Sequence, residues 1–87
     1  MNEKYIELVT MMDQCLFQNL DVTLEEAIET YLLNGKEVCN LVVKEIDELL
    51  SHGYPESEIL AFVSEHSDFL ENDSGTETLF LIKSLLS

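Results

Sequence analysis

The stretch that decides the fold reads Lys36-Glu37-Val38-Cys39-Asn40-Leu41-Val42-Val43-Lys44-Glu45-Ile46-Asp47-Glu48-Leu49-Leu50-Ser51-His52. Val38, Cys39, Val42, Val43, Ile46, Leu49 and Leu50 recur at spacings of three and four, which stacks them on one side of an α-helix. The stripe is broad, so this helix is expected to be central and contacted from two sides. Gly53 follows as the residue that ends it in a left-handed conformation. Pro55 fits the first position of a new helix, where its missing N–H costs nothing.

Working outward, the other segments also read as helices, four or five in all. The first is expected from about Asn2, a candidate N-cap, to about Gln18, with Tyr5, Leu8, Val9, Met12 and Leu16 on one face. After a turn through Asn19 and Asp21, Thr23 and Glu26 have capping-box spacing, and Val22 can staple onto Ala27. The second helix carries Ala27, Ile28, Tyr31 and Leu32 inward and stops at Asn34-Gly35. A fourth spans about Pro55 to Glu65 and buries Ile59, Leu60 and Val63, with Phe62 beside them. An acidic loop from His66 to Gly75 follows, pinned by Phe69 and Leu70. Ser74 and Glu77 repeat the capping-box spacing and open a last helix with Leu79, Phe80, Ile82, Leu85 and Leu86. The expected fold is all-α, one compact domain over residues 1–87, its short connections favouring antiparallel packing of neighbours.

Composition narrows the function. The 87 residues carry 18 Asp+Glu against 4 Lys+Arg, a net charge of -14, and the cations are all lysines. Neutralising phosphates takes Lys and Arg, so a conventional nucleic-acid binder is excluded, and an anionic membrane surface would repel the chain. A chain this short buries only about 60–65% of its unfolded surface, which leaves little room for a deep substrate cavity. Asn2, Glu3, Lys4 and Glu7 interrupt any apolar leader segment, so the cytoplasm is the expected location. Cys15 and Cys39 lie in helical segments without CxxC spacing and read as buried thiols.

Motifs for chemistry are sparse. His52 and His66 have no partner at metal-ligand spacing, and His52 suits the negative end of its helix. Glu71-Asn72-Asp73-Ser74-Gly75 has the composition of a calcium loop but not its register. No phosphate cradle or nucleophile elbow is present. The chain therefore reads as a binder with no catalytic residue, metal, cofactor or small-molecule substrate.

The acid is unevenly placed. Residues 1–44 hold eight acids and three lysines, whereas Glu45 to Glu77 holds ten acids and no lysine. Charge at that density repels itself for no evident structural return, unless a basic protein partner exploits it for steering. Two surfaces are candidates. On the third helix Leu41 falls outside the apolar stripe, on an edge shared with Glu45, Glu48 and His52, with Glu37 alongside, like an anchor with a polar rim. The other is the loop bearing Glu65, Asp68, Glu71 and Asp73, with Tyr54 as a further aromatic anchor, exposed and long enough to shape itself to a partner.

The order of segments also resembles a known family. Thr23-Leu24-Glu25-Glu26-Ala27-Ile28-Glu29, then Tyr31-Leu32, Glu45-Ile46-Asp47-Glu48-Leu49-Leu50 and Pro55-Glu56-Ser57-Glu58-Ile59-Leu60 are similar to motifs of immunity proteins from bacterial contact-dependent growth inhibition systems. The resemblance covers about Leu16 to Leu86. It implies a cytoplasmic protein that binds, one to one, the basic toxic domain of a cognate effector, commonly a nuclease acting on tRNA. Two alternatives stand beside it. Asp73-Ser74 before a helix is similar to the carrier serine of acyl carrier proteins, although Ser74 has only one helix behind it. A small acidic regulator that mimics nucleic acid is the other.

Overall fold

The computed structural model describes residues 2–18 and 21–87. Five helices follow in order among them: α1 (Ile6–Cys15), α2 (Leu24–Leu32), α3 (Lys36–Ser51), α4 (Glu56–His66) and α5 (Gly75–Leu86). The arrangement is all-α, as the periodicity predicts. The turn expected at Asn19 lies outside the described residues; Asp21 is in a turn ahead of α2.

The α3 stripe behaves as read. Cys39, Val42, Ile46 and Leu49 are buried, Val38, Val43 and Leu50 pack partly buried around them, and the helix lies against α1 on one side and α5 on the other. Gly53 ends it at φ 97°, a conformation that favours glycine. Pro55 is the N-cap of α4, one residue earlier than expected, because its ψ of 153° keeps the chain extended before Glu56. That extended step changes the topology. Consecutive α3 and α4 do not pack on each other; α4 crosses to lie on α5 and α1.

Helix α1 is shorter than its apolar pattern, beginning at Ile6 rather than near Asn2. Asn2 does not cap it. The Asn2 side chain meets His66 instead, and the Tyr5 N-cap makes no side-chain bond, so the start of the helix is fixed from elsewhere. Its inner face is Tyr5, Leu8, Met11, Met12, Cys15 and Leu16, with Val9 displaced to the margin. The Thr23 and Ser74 halves of the two capping boxes form: the Glu26 N–H donates to Thr23 Oγ1 at 3.2 Å and the Glu77 N–H to Ser74 Oγ at 3.1 Å, while Glu77 Oε1 accepts from Asn72 Nδ2 and not from the Ser74 N–H. Val22 packs partly buried on the core.

Four apolar residues sit differently from expectation. Leu32 is 40% exposed because α2 ends there and its inner face is Leu24, Ala27, Ile28 and Tyr31. Phe62, not Leu60, joins Ile59 and Val63 inside, since α4 turns its Phe62–His66 edge toward Tyr5 and α1. Phe80 is 53% exposed, leaving Leu79, Ile82 and Leu86 as the inner face of α5. In the loop Phe69 is anchored against the core, whereas Leu70 is 37% exposed.

At Gly75, the start of α5, the backbone comes close to that of α4. A Cβ there would lie 2.6 Å from the Leu60 backbone nitrogen and 2.7 Å from the Ile59 carbonyl carbon, so only glycine fits. Gly75→Ala is expected to destabilise the protein by about 1–3 kcal/mol through overpacking against backbone. Urea unfolding measures it; a stability gain, which alanine's helix propensity would give at an open site, would contradict this packing.

Candidate functional site

The structure divides the acidic residues into those that hold the fold and those left at the surface. Glu45 belongs to the first group. From the half-buried edge of α3 its two oxygens accept the Leu8 N–H at 2.9 Å and the Glu7 N–H at 3.3 Å. These are orphan donors of the first turn of α1, where a negative charge also meets the positive end of the helix. Glu45, expected to face a partner, is thus the cap of α1, and its carboxylate is committed inside the molecule.

Glu56 performs the same role for α5. Its carboxylate accepts the Ser74 hydroxyl at 2.8 Å, the Gly75 N–H at 3.0 Å and the Thr76 N–H at 2.9 Å. The Thr76 N–H is the main cause, with the Thr76 and Ser74 side chains and the Gly75 N–H adding, of a carboxyl pulled from the ordinary 4.5 to about 2, against an opposing effect of burial. Ser74 is engaged in both directions, donating to Glu56 and accepting from the Glu77 N–H. A carrier serine needs a free hydroxyl, so this arrangement does not favour the acyl carrier alternative.

The acidic loop is fastened rather than adaptable. Asp68 accepts the Gln18 N–H through Oδ2 and donates its own N–H to the Leu16 carbonyl at 2.9 Å, tying the loop to the end of α1. Ser67 and Phe69 exchange two hydrogen bonds, and Glu71 to Ser74 form a tight turn with Asn72 at φ 53° and Asp73 at φ 54°. Thr78 Oγ1 accepts the Glu71 N–H at 2.7 Å and donates to the Ser74 carbonyl. Glu65, Glu71 and Asp73 remain exposed on this loop and the helix before it. Asp68, also expected at the binding surface, has its carboxylate turned to the backbone.

His66 is the residue that the sequence placed least well. It closes α4 and is buried, with Nδ1 2.7 Å from Asp13 Oδ1, Nε2 3.1 Å from Asn2 Oδ1, and its ring edge-on to Phe62. It joins the N-terminal segment, α1 and α4. Nothing in its local sequence, Glu65-His66-Ser67, signals partners more than fifty residues away.

On the outer edge of α3 a smaller group stays at the surface around an apolar residue. Leu41 is 48% exposed, so no other helix covers it. Glu37, Glu48 and His52 share its face by helical spacing and are exposed. His52 stacks on Tyr54, ring centroids 4.3 Å apart and planes 24° from parallel. Lys4 reaches this edge, with Nζ 3.8 Å from Glu48 Oε1. The Tyr5 ring lies below the Lys4 ammonium, and its hydroxyl is buried. Burial first, then a hydrogen bond with the Tyr54 side chain and the charges of Tyr54, Glu48 and Glu45, raise that phenol to about 12. The two surfaces read from sequence are therefore held at opposite ends of α1: the α3 edge against Lys4, Glu7 and Leu8, the loop against Leu16 and Gln18.

Among the described residues no group of three or more His, Cys, Asp and Glu is set to hold a metal ion. Burial pushes the Cys15 thiol up, away from the thiolate that nucleophilic chemistry requires. Two surface hollows, of about 190 Å³ beside Cys15 and Ala27 and about 270 Å³ beside Phe62 and Glu65, are smaller than ordinary small-molecule pockets. No described helix is long and apolar enough to cross a membrane. Compared with known proteins, the chain matches no family model, no curated protein and no solved structure.

Because the folded state holds the Glu56 carboxyl near 2 and the unfolded chain near 4.5, its stabilising contribution is complete above pH 4.5 and disappears as the pH falls toward 2. Glu56→Gln should lower stability at neutral pH by about 1 kcal/mol, the usual scale of a lost helix cap. It should also flatten the loss of stability between pH 4.5 and 2, followed by urea melts at each pH. Parallel curves for the two proteins would contradict the assignment.

Proposed function

We propose that the chain is an immunity protein, a binder without catalysis of its own that neutralises the basic toxic domain of a cognate contact-dependent growth inhibition effector in the cytoplasm. The observation that carries the reading is Leu41, an exposed leucine on the α3 edge with Glu37 one turn before it and Glu48 two turns after it, on the face that ends at the stacked His52–Tyr54 pair. An apolar anchor with a polar rim is the arrangement that concentrates binding energy at protein interfaces. The net charge of -14 selects a basic partner and speeds its capture. The order of helical motifs from Leu16 to Leu86 supports the same reading. Carboxylates set where RNA phosphates would bind would block the substrate groove of a nuclease toxin, and occupation of an adjacent surface would serve as well.

Co-expression with the toxic domain encoded beside this chain tests the proposal. The expected result is cell survival and co-purification of a one-to-one complex; death of the cells, or no complex, refutes it. The edge is tested separately. Glu37→Lys with Glu48→Lys should slow association by on the order of tenfold at low salt, an effect that shrinks as salt rises. Leu41→Ala should weaken the complex chiefly through faster dissociation, by about 1–2 kcal/mol. Stopped-flow and surface plasmon resonance separate the two rates, and equal effects of Leu41→Ala and of Leu33→Ala, at a leucine 86% exposed off this edge, would remove Leu41 from the interface.

A further inference from the structure

Cys15 and Cys39 take no part in the proposed interface, and the helix register brings them together. Lys4, just ahead of α1, meets Glu48, and Leu8 further along meets Glu45, so the chain advances on α1 as it retreats on α3. Cys15 is seven residues on from Leu8, and Cys39 is six residues back from Glu45. At about 1.5 Å of rise per residue the two cysteines come to the same level of the helix pair. Both are in the core, Cys15 8% and Cys39 2% exposed, and neither is in a disulfide.

A third residue marks the junction. Tyr31 enters from α2 and is buried. Burial first, then the charges of Glu7, Cys39, Cys15 and Glu45, raise its phenol to about 12. One oxygen thus has both sulfurs as electrostatic neighbours, at the corner where α1, α2 and α3 meet. The two thiols differ in access. The surface hollow of about 190 Å³ has Cys15 on its wall, with Gln14, Ala27 and Thr30 around it, whereas Cys39 does not line it. A small molecule entering there reaches Cys15 first.

We infer that Cys15 and Cys39 form an intramolecular disulfide when the folded protein meets a peroxide, with Cys15 as the attacking thiol and Cys39 as the resolving one. The Cys15 sulfur gives up its proton and attacks one peroxide oxygen; the O–O bond breaks, a sulfenic acid forms, and the departing hydroxide takes that proton to become water. The Cys39 sulfur then attacks the Cys15 sulfur. The S–S bond forms, the S–O bond breaks, and the hydroxide leaves with the Cys39 proton as a second water. Two thiols and one peroxide become one disulfide and two waters, the sulfurs losing the two electrons that the peroxide gains. Burial raises the Cys15 thiol, so the first step is slow beside that of an exposed thiolate. The bridge closes a loop that contains all of α2 and locks this corner under sustained oxidant. This chemistry goes beyond the proposed function and needs no partner.

The test treats the full reduced chain, folded, with hydrogen peroxide, blocks remaining thiols with iodoacetamide in urea, and maps the digest by mass spectrometry. The expected product is a monomer that takes up no alkyl group and is about 2 Da lighter, for the two hydrogens lost. Its Cys15–Cys39 linked peptide separates with dithiothreitol. Cys39→Ala should leave Cys15 as a sulfenic acid that dimedone captures, and Cys15→Ala should leave Cys39 open to alkylation. In the unsubstituted chain the bridging rate should not change in about 1 M urea, which raises the unfolded population roughly fivefold or more. Alkylation of both cysteines after peroxide, oxidation of Cys39 without Cys15, linkage between two chains in place of one within a chain, or a rate that climbs with urea would each overturn the inference.

Discussion

The structure depends on carboxylates that cap helices other than their own. Glu45 on α3 receives the first-turn N–H groups of α1, and Glu56 on α4 receives those of α5. α1 with α3 and α4 with α5 are also the two most extensive helix pairs in the bundle. Each cap therefore fixes the end and the relative position of two helices at once. A chain without arginine and with four lysines has few side-chain counterions, and the partial positive charge of helix N-termini supplies what the cations do not. The remaining ion pairs follow the same economy, with Lys83 drawn to Asp47 across the α3–α5 contact and Asp13 to the His66 ring.

This changes the meaning of the net charge. From composition alone the excess of acid between Glu45 and Glu77 looks like repulsion without structural return. In the folded chain Glu45, Asp47, Glu56 and Asp68 have internal partners, and removing any of the caps would expose backbone donors at a helix end. Setting these aside reduces the surface open to a partner, and on α3 it leaves Glu37, Leu41, Glu48 and His52 in register. The proposed interface is smaller than the charge suggests and better defined, with an apolar centre.

Much of this architecture was legible because it is local. The α3 stripe, the left-handed stop at Gly53, and the Thr23 and Ser74 caps each depend on residues within one or two helical turns, where spacing and rotamer direction determine who meets whom. The position of Leu41 outside the stripe followed from the same arithmetic. The caps supplied by Glu45 and Glu56 were not legible, because the partners lie 37 and 20 residues away in sequence and a glutamate on an exposed edge reads the same whether it meets water or an amide. The same separation hid His66 and Asp68. The shortened start of α1 was missed with them, since the helix begins where Glu45 reaches it and not where its apolar pattern begins.

The most direct measurement is a carboxyl-carbon NMR titration of the folded protein with Glu56 assigned. If a carboxylate on α4 holds the N-terminus of α5, Glu56 titrates near 2, well below the ordinary 4.5, with the Gly75 and Thr76 amide protons shifting in the same step. A Glu56 carboxyl that titrates near 4.5, with those two amides unmoved, would contradict the account of how this acidic chain holds its helices together.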